Sequence, residues 1–416
     1  MVDKHLAAVP AIQRTLDAVW RIESARIIAT LAKVTGDVGL AEDLAQEALI
    51  DALTQWPESG VPNNPGAWLT AVAKRKAIDA WRRRERLDER YRAMAHDLTE
   101  MTEDQWQPIP DDVLRLIFTA CHPVLSREGQ VALTLRTVGG LTSEEIARML
   151  LVPVATVQQR IVRAKKTLSA ARVPFEPPEP NEWNGRLNAV LAVLYLIFTE
   201  GYAATTGERW IRTDIANEAL RLARVLAGLL PREPEVHGLV ALMEFQASRF
   251  PARVNHDGSP VLLADQDRSR WDRTQIGRGL TALARTDALG RGRGNYTLQA
   301  AIAQCHATAP SFEDTDWHKI VLLYEALGRL APNPIVELNH AVAVSMATGP
   351  AAALKIVDRL VAGGALRRSH LLPSIRGELL SKLGRTAEAK KDLQQAAALT
   401  TNEQQKAVLL AKAATL

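Results

Sequence analysis

The sequence predicts an all-α protein of more than one domain, and three observations carry that prediction. Apolar residues recur at three- and four-residue spacing, as in Leu40, Leu44, Ala48 and Leu53, then Leu69, Val72, Ala73 and Ile78. Helix starts are written into the local chemistry at Asn64-Pro65 and at Thr142 with Glu145. A run with four prolines in eight positions, residues 173–180, cannot continue a helix and divides the chain. The 416 residues, 47% apolar and 24% charged, supply two or three cores and exclude disorder throughout.

In chain order, Asn64 is an N-cap followed by proline at the first helical position, opening a helix that runs to about Arg90. The segment from Trp56 to Asn64 before it reads as a loop. Thr142 and Glu145 form a capping box, each side chain satisfying a backbone N–H, and open a short helix ending near Leu150. A tight connection and a second, basic helix follow. Beyond the proline-rich stretch the helical pattern resumes without strong strand candidates. Gly349-Pro-Ala-Ala-Ala-Leu and Gly384-Arg-Thr-Ala-Glu-Ala recur at about 35 residues, a period suited to stacked helix pairs. Leu383, Gly384, Ala387, Ala389, Leu393 and Ala396 to Leu399 read like the small-residue packing of a tetratricopeptide repeat.

Two cysteines, Cys121 and Cys305, exclude a disulfide framework and fit a cytoplasmic protein. The polar start lacks a signal-peptide core, and the longest apolar run, Leu187 to Phe198, contains Asn188 and is too short to span a bilayer. No membrane partner is expected. Net charge is only +4, so its distribution matters more. Val34 to Ala73 holds six acids and no Lys or Arg; Lys74 to Arg92 then sets nine bases against four acids. Ala93 to Leu114 returns to six acids without Lys or Arg, before Arg160, Arg163, Lys165, Lys166 and Arg172 form a second basic island.

The second island lies on helix-turn-helix grammar, Thr142 to Lys166. Ile146, Ala147 and Leu150 form the first helix's inner stripe, and Val157, Ile161 and Ala164 face it. The opposite face carries Gln158, Gln159, Arg160 and Arg163. Gln and Arg make paired hydrogen bonds to base edges in a major groove, while Arg163, Lys165 and Lys166 suit phosphates. An amphipathic helical hairpin with a solvated basic face is the competing reading. On the first island, Trp68 and Trp81 interleave with Lys74, Arg75, Lys76 and Arg82 to Arg84, a mixture that suits unpaired bases beside phosphates. The alternative makes both tryptophans core.

Ala41-Glu-Asp-Leu-Ala-Gln-Glu-Ala-Leu-Ile-Asp-Ala-Leu, then Ala67-Trp-Leu-Thr-Ala-Val-Ala-Lys-Arg-Lys-Ala-Ile-Asp-Ala-Trp-Arg-Arg-Arg, then the helix-turn-helix give an order of parts that resembles an extracytoplasmic-function sigma factor of the sigma-70 family. Ala120-Cys-His-Pro, Tyr195-Leu-Ile-Phe-Thr-Glu-Gly-Tyr and Asp265-Gln-Asp-Arg-Ser-Arg-Trp-Asp look like the subgroup with a long helical, tetratricopeptide-like extension. The resemblance implies sigma region two at 10–95, an acidic linker at 96–111, sigma region four at 112–172, a proline-rich linker at 173–182 and the extension at 183–416. It also implies transcription initiation. Region two would dock on core RNA polymerase and capture the melted minus-ten element, and region four would read the minus-thirty-five duplex. The expected polymerase contacts are Glu42, Asp43, Glu47 and Asp51, on an acid-rich helix with no base nearby in sequence. Trp68, Lys74, Arg82 and Arg83 are carried over as general DNA contacts, beside Gln158, Gln159, Arg160, Arg163, Lys165 and Lys166. The loop Pro57 to Asn63 occupies the place where such factors hold a flipped base. Arg75 stands where the family usually has asparagine, so no base reader is named there.

Other features are read as structural. Cys121-His122 lacks a second ligand pair. Gly290-Arg-Gly-Arg-Gly-Asn lacks the strand and spacing of a dinucleotide site. Asp257, Asp265, Asp267 and Asp272 are expected to pair with Arg268, Arg270, Arg273 and Arg278 rather than gather a metal. No metal, cofactor or catalytic residue is expected. The extension is expected to regulate through an unknown partner. The competing functions are a helix-turn-helix regulator that binds duplex DNA without polymerase, and an enzyme housed in residues 183–416, for which no motif speaks.

Overall fold

A computed structural model describes residues 2–84, 110–150, 152–202, 213–255, 261–367, 369–400 and 403–416, with side chains of the first segment described from Thr15 to Asp79. The acidic linker therefore lies almost wholly outside the described residues, as do the side chains of Trp81, Arg82 and Arg83. The described residues are helical, without a strand, and fall into two compact units, Met1–Ile197 and Phe198–Leu416.

The first unit opens with helices α1 (Val2–Thr35), α2 (Val38–Ser59) and α3 (Pro65–Arg84). Asp37 caps α2 by accepting from the backbone N–H groups of Gly39 and Leu40. The expected loop from Trp56 is corrected here: α2 continues through Pro57 to Ser59 and stops at Gly60, whose φ of 82° suits a residue without Cβ. Trp56 is fully buried and meets Trp68 edge-on, ring centroids 5.5 Å apart. Burying that ring holds the last turn in place although Pro57 donates no hydrogen bond. Asn64 Oδ1 accepts from Ala67 N–H at 3.1 Å, the cap the sequence announced.

Four helices follow, α4 (Pro110–Ala120), α5 (Arg127–Thr137), α6 (Ser143–Leu150) and α7 (Val154–Ala170). The capping box forms as expected: Thr142 N–H donates to Glu145 Oε2 at 2.9 Å and Glu145 N–H to Thr142 Oγ1 at 3.1 Å. Ile146, Ala147, Val157, Ile161 and Ala164 are buried where α6 packs on α7, but Met149 fills the buried third position and Leu150 is only half-buried. Cys121 is enclosed, its Sγ 3.4 Å from Thr134 Oγ1, and burial pushes its thiol up to about 12. Such a thiol stays protonated and inert.

Residues 173–182 are irregular, as the prolines require, and Phe175 is buried among them. The next helix, α8 (Trp183–Tyr202), returns to the first unit: Trp183 packs on Phe118 at 5.2 Å between centroids, and Arg186 Nη2 donates to Phe118 O at 3.1 Å. The division between units thus falls inside α8 and not at the proline-rich segment where the sequence suggested one.

The second unit continues with α9 (Thr213–Leu229), α10 (Pro234–Ala247), α11 (Arg273–Ala288), α12 (Asn295–Thr308) and α13 (Trp317–Leu330). Helices α14 (Pro334–Ala347), α15 (Pro350–Ala362), α16 (Leu371–Lys382), α17 (Thr386–Leu399) and α18 (Glu403–Ala414) complete it. The repeat seen in sequence becomes two stacked pairs, α14 with α15 and α16 with α17. Gly349 (φ 108°) and Gly384 (φ 74°) sit at the same left-handed corner of each. Leu338, Val357, Leu380 and Ala389 share one core across both pairs. Gly377 lets α17 approach so closely that a Cβ there would lie 3.1 Å from Ala389 O.

The predicted Asp–Arg network is corrected among the described residues. Asp267 and Asp272 are instead helix caps, accepting from Ser269 N–H and from Thr274 and Gln275 N–H. Arg268 is buried, donates to the carbonyls of His306 and Ala309, and stacks over Trp271 at 4.7 Å. Arg278 turns to Glu244 on α10, at 3.3 Å. Backbone caps outcompete the arginines for those carboxylates because an uncapped helix start leaves N–H groups unsatisfied. Asp257 lies outside the described residues.

Candidate nucleic-acid interface

The seam that buries Val157, Ile161, Ala164 and Leu168 fixes the rotation of α7, and rotation decides which side chains face outward. Gln158, Gln159, Arg163 and Lys166 are exposed and Arg160 half-exposed. Gln159, Arg160 and Arg163 line one wall of a cleft of about 460 Å³ whose other wall is the start of α5, including Ser126 and Glu128. Ser126 caps α5, accepting from Gly129 N–H at 3.2 Å. The carboxyl of Glu128 is held below its usual range by its own backbone N–H and the Ser126 hydroxyl, with Arg160 and Arg127 adding attraction. The cleft therefore carries one side-chain amide, two guanidinium groups and one carboxylate. Sequence reasoning missed Ser126 and Glu128, although the Ser126 cap ahead of a charged first turn was a readable signal.

Lys165 departs from the rest of its island. It is half-buried and turned away from that face, its ammonium bonded to the carboxylate of Glu42 and, at 2.8 Å, to that of Asp43. Burial alone would lower its pKa, but Glu42 and Asp43 outweigh it and hold Lys165 above the usual lysine range. Glu42 is itself buried and also takes Arg136 Nε at 2.9 Å. Of the four acids assigned to polymerase, Glu42 is therefore enclosed, while Asp43 and Glu47 remain well exposed and Asp51 half-exposed. Lys76 of α3 reaches Asp51 at 3.0 Å and Glu47 at 3.6 Å. The hydrogen bond to Asp51 leads in raising Lys76 above its usual range. The sequence reading that no base lies near these acids holds along the chain and fails in space.

On α3, Trp68 is half-buried, its ring edge shared with Trp56, and Lys74 is half-buried with its pKa lowered by burial. Arg75 is exposed. Arg82 and Arg83 belong to the last turn of α3, their side chains outside the described residues. The first basic island is thus partly drawn into the module's core, whereas the exposed face of α7 is open. Among the described residues no cluster of His, Cys, Asp and Glu has metal-ligand geometry, and no helix is long and apolar enough to cross a membrane.

Comparison with known proteins follows the same partition. Residues 21–87 match the model for sigma-70 region 2 and residues 115–168 that for sigma-70 region 4. Residues 186–287 match a family of unknown function (DUF6596). The chain is 43% identical over 387 residues to an uncharacterized protein of Rhizobium meliloti, spanning 90% of this chain and 89% of that one. It is 27% identical over 163 residues to the "Probable ECF RNA polymerase sigma factor SigI" of Mycobacterium tuberculosis, spanning 38% of this chain and 56% of that one. No solved structure matches.

Proposed function

The chain belongs to the sigma-70 family as a sigma factor of the extracytoplasmic-function type with a helical C-terminal extension, and from that premise we propose how its side chains divide the work of promoter recognition. A sigma factor directs core RNA polymerase to promoters, so polymerase and promoter DNA are its partners and it is a non-enzymatic, DNA-binding subunit. The observation that carries the residue assignment is the open face of α7. Gln158 and Gln159 read base edges of the minus-thirty-five duplex, Arg160 reads a guanine or a phosphate, and Arg163 and Lys166 hold phosphates. Glu128, across the cleft, favours a cytosine amino group and disfavours phosphate close to its wall.

Melted DNA follows α3, with Trp68, Lys74, Arg82 and Arg83 as contacts. The acids of α2 that remain exposed, Asp43, Glu47 and Asp51, face polymerase. The extension regulates activity, since stacked helix pairs offer concave surfaces for protein or peptide recognition. The factor works in the cytoplasm, where polymerase and DNA are. In-vitro transcription with purified core polymerase tests the reading: transcripts that depend on both core and the chain are expected, and duplex binding without core-dependent initiation would favour a simple helix-turn-helix regulator.

A further inference from the structure

In the second unit, Arg249 and Arg268 are drawn together without a carboxylate to pair them. Both reach the ring of Trp271, which is 2% exposed, with their guanidinium carbons 5.6 and 4.7 Å from its centroid. Each is held by neutral acceptors. Arg268, itself buried, donates to the carbonyls of His306 at 2.5 Å and Ala309 at 2.7 Å, and so closes the end of α12. Arg249 Nε donates at 3.2 Å to Oε1 of Gln266, a buried side chain whose Nε2 is anchored on Val261 O at 3.1 Å. Among the described residues neither arginine forms an ion pair. Asp267 and Asp272 spend their carboxylates on backbone N–H groups, and Glu313 and Asp314 attract Arg268 only from beyond ion-pair distance. A carbonyl satisfies an N–H but does not cancel a unit charge, so the two arginines keep most of their positive field. Burial first, and the charge of Arg249 next, hold Arg268 below the usual guanidinium range. His306 beside them is kept neutral by burial and then by the same two charges.

One end of this cluster is open. Arg249 is half-buried and only its Nε is engaged; Nη1 and Nη2 have no partner among the described residues. Those two nitrogens form a fork that can meet two oxygens of one oxyanion side by side. Gln266 and Trp271 fix the fork before a ligand arrives, which lowers the ordering cost of binding. We propose that Arg249, with Arg268 behind it, forms a binding site for a phosphate dianion, free or as the terminal monoester of a small molecule. Such a group carries about −1.5 to −2 charge at neutral pH and matches two uncompensated cations better than a carboxylate does. A nucleic-acid phosphodiester brings one charge per phosphate, and with Trp271 and Arg268 buried the Arg249 fork is a point of contact and not a groove for a strand. The site belongs to the second unit and stands whether or not the chain initiates transcription.

Equilibrium dialysis of the full chain against labelled inorganic phosphate, at an ionic strength fixed with chloride, tests the site. Arg249→Ala should weaken phosphate binding about tenfold or more with its helical signal unchanged. Arg249→Lys keeps the charge and loses the fork, and should retain an intermediate affinity. Arg270→Ala removes an exposed cation from the same short turn as Arg268 and should leave binding intact. Equal affinity in wild type and Arg249→Ala overturns the site. So does an equal loss in Arg249→Ala and Arg270→Ala, which would make phosphate uptake a diffuse response to surface charge. Should Arg249→Ala lose its helical signal, Arg249→Lys decides: affinity equal to wild type overturns recognition by the fork. Competition for the Arg249-dependent phosphate sets the ligand class. Unlabelled phosphate and glycerol phosphate should displace it, the second more strongly if the ligand is an ester, while acetate at equal concentration should not. Displacement by acetate as readily as by phosphate overturns the dianion assignment, and displacement by single-stranded DNA as readily as by phosphate overturns the small molecule.

Discussion

At the scale of the residue, neighbours on one basic island have different assignments. Arg163 and Lys165 are two positions apart in a single helix, but one is exposed and the other is committed to two carboxylates. Arg163→Ala should therefore weaken duplex binding uniformly across sequences and reduce the salt slope by about one, measured by titration at several salt concentrations. Gln159→Ala should instead relax preference at one base pair, costing about 1–3 kcal/mol for the preferred sequence alone. A different residue-scale effect belongs to His306. Its ring packs edge-on against Trp317 at 5.2 Å, and its Nδ1 is buried without a hydrogen-bond partner. Burial, reinforced by Arg249 and Arg268, lowers its pKa from 6.5 to about 4. The folded imidazole is then neutral where the unfolded one binds a proton. Its stabilising effect is whole above pH 6.5 and is lost as pH falls toward about 4, on the order of 3 kcal/mol in full. Denaturant midpoints at pH 7 and pH 5 should separate in the wild type, and His306→Leu should narrow the gap; an unaltered gap would assign the acid sensitivity elsewhere.

At the scale of the element, α6 has eight residues, so its capping box serves much of its length. Thr142→Ala removes the acceptor for Glu145 N–H and should cost about 1 kcal/mol, seen as a lowered thermal midpoint. Because α6 supports the seam that rotates α7, duplex affinity should fall with it. This box, the Asn64 cap, the two helices of the reading motif and the repeat glycines were all legible in sequence, since each depends on residues within one or two turns. The end of α2 was not. Pro57 reads as a stop until Trp56 is seen buried against Trp68, a contact made across the intervening loop. Nor was the fate of the aspartates at 267 and 272. Proximity in sequence to arginines suggested ion pairs, but two short helical starts needed caps. Lys165 and Glu42 are 123 positions apart, and no spacing rule reaches that far. Sequence patterns thus placed Gln158, Gln159, Arg160, Arg163 and Lys166 together on one outward face of α7 and left the partner of Lys165 hidden.

At the scale of the whole molecule, the extension does not begin as a free appendage. Residues 183–197 of α8 count with the first unit, and Trp183 and Arg186 close over Phe118 at the end of α4. Truncation after Arg172 should thus do two things: alter promoter-dependent transcription and lower the thermal midpoint of the remaining chain by exposing Phe118. Truncations that change transcription while leaving that midpoint in place would assign regulation to the second unit alone, and full activity after truncation would make the extension a passenger. The return of α8 also has a consequence for mass action. Residues 173–182 tether Trp183 to the end of α7, so docking on Phe118 is intramolecular, with an effective concentration in the millimolar range for a short tether. Its occupancy is independent of how much protein a cell contains. Cleave the chain once within the proline-rich segment, and the same contact becomes second order: it would persist in a concentrated sample and dissolve on dilution, with no atom of the interface changed.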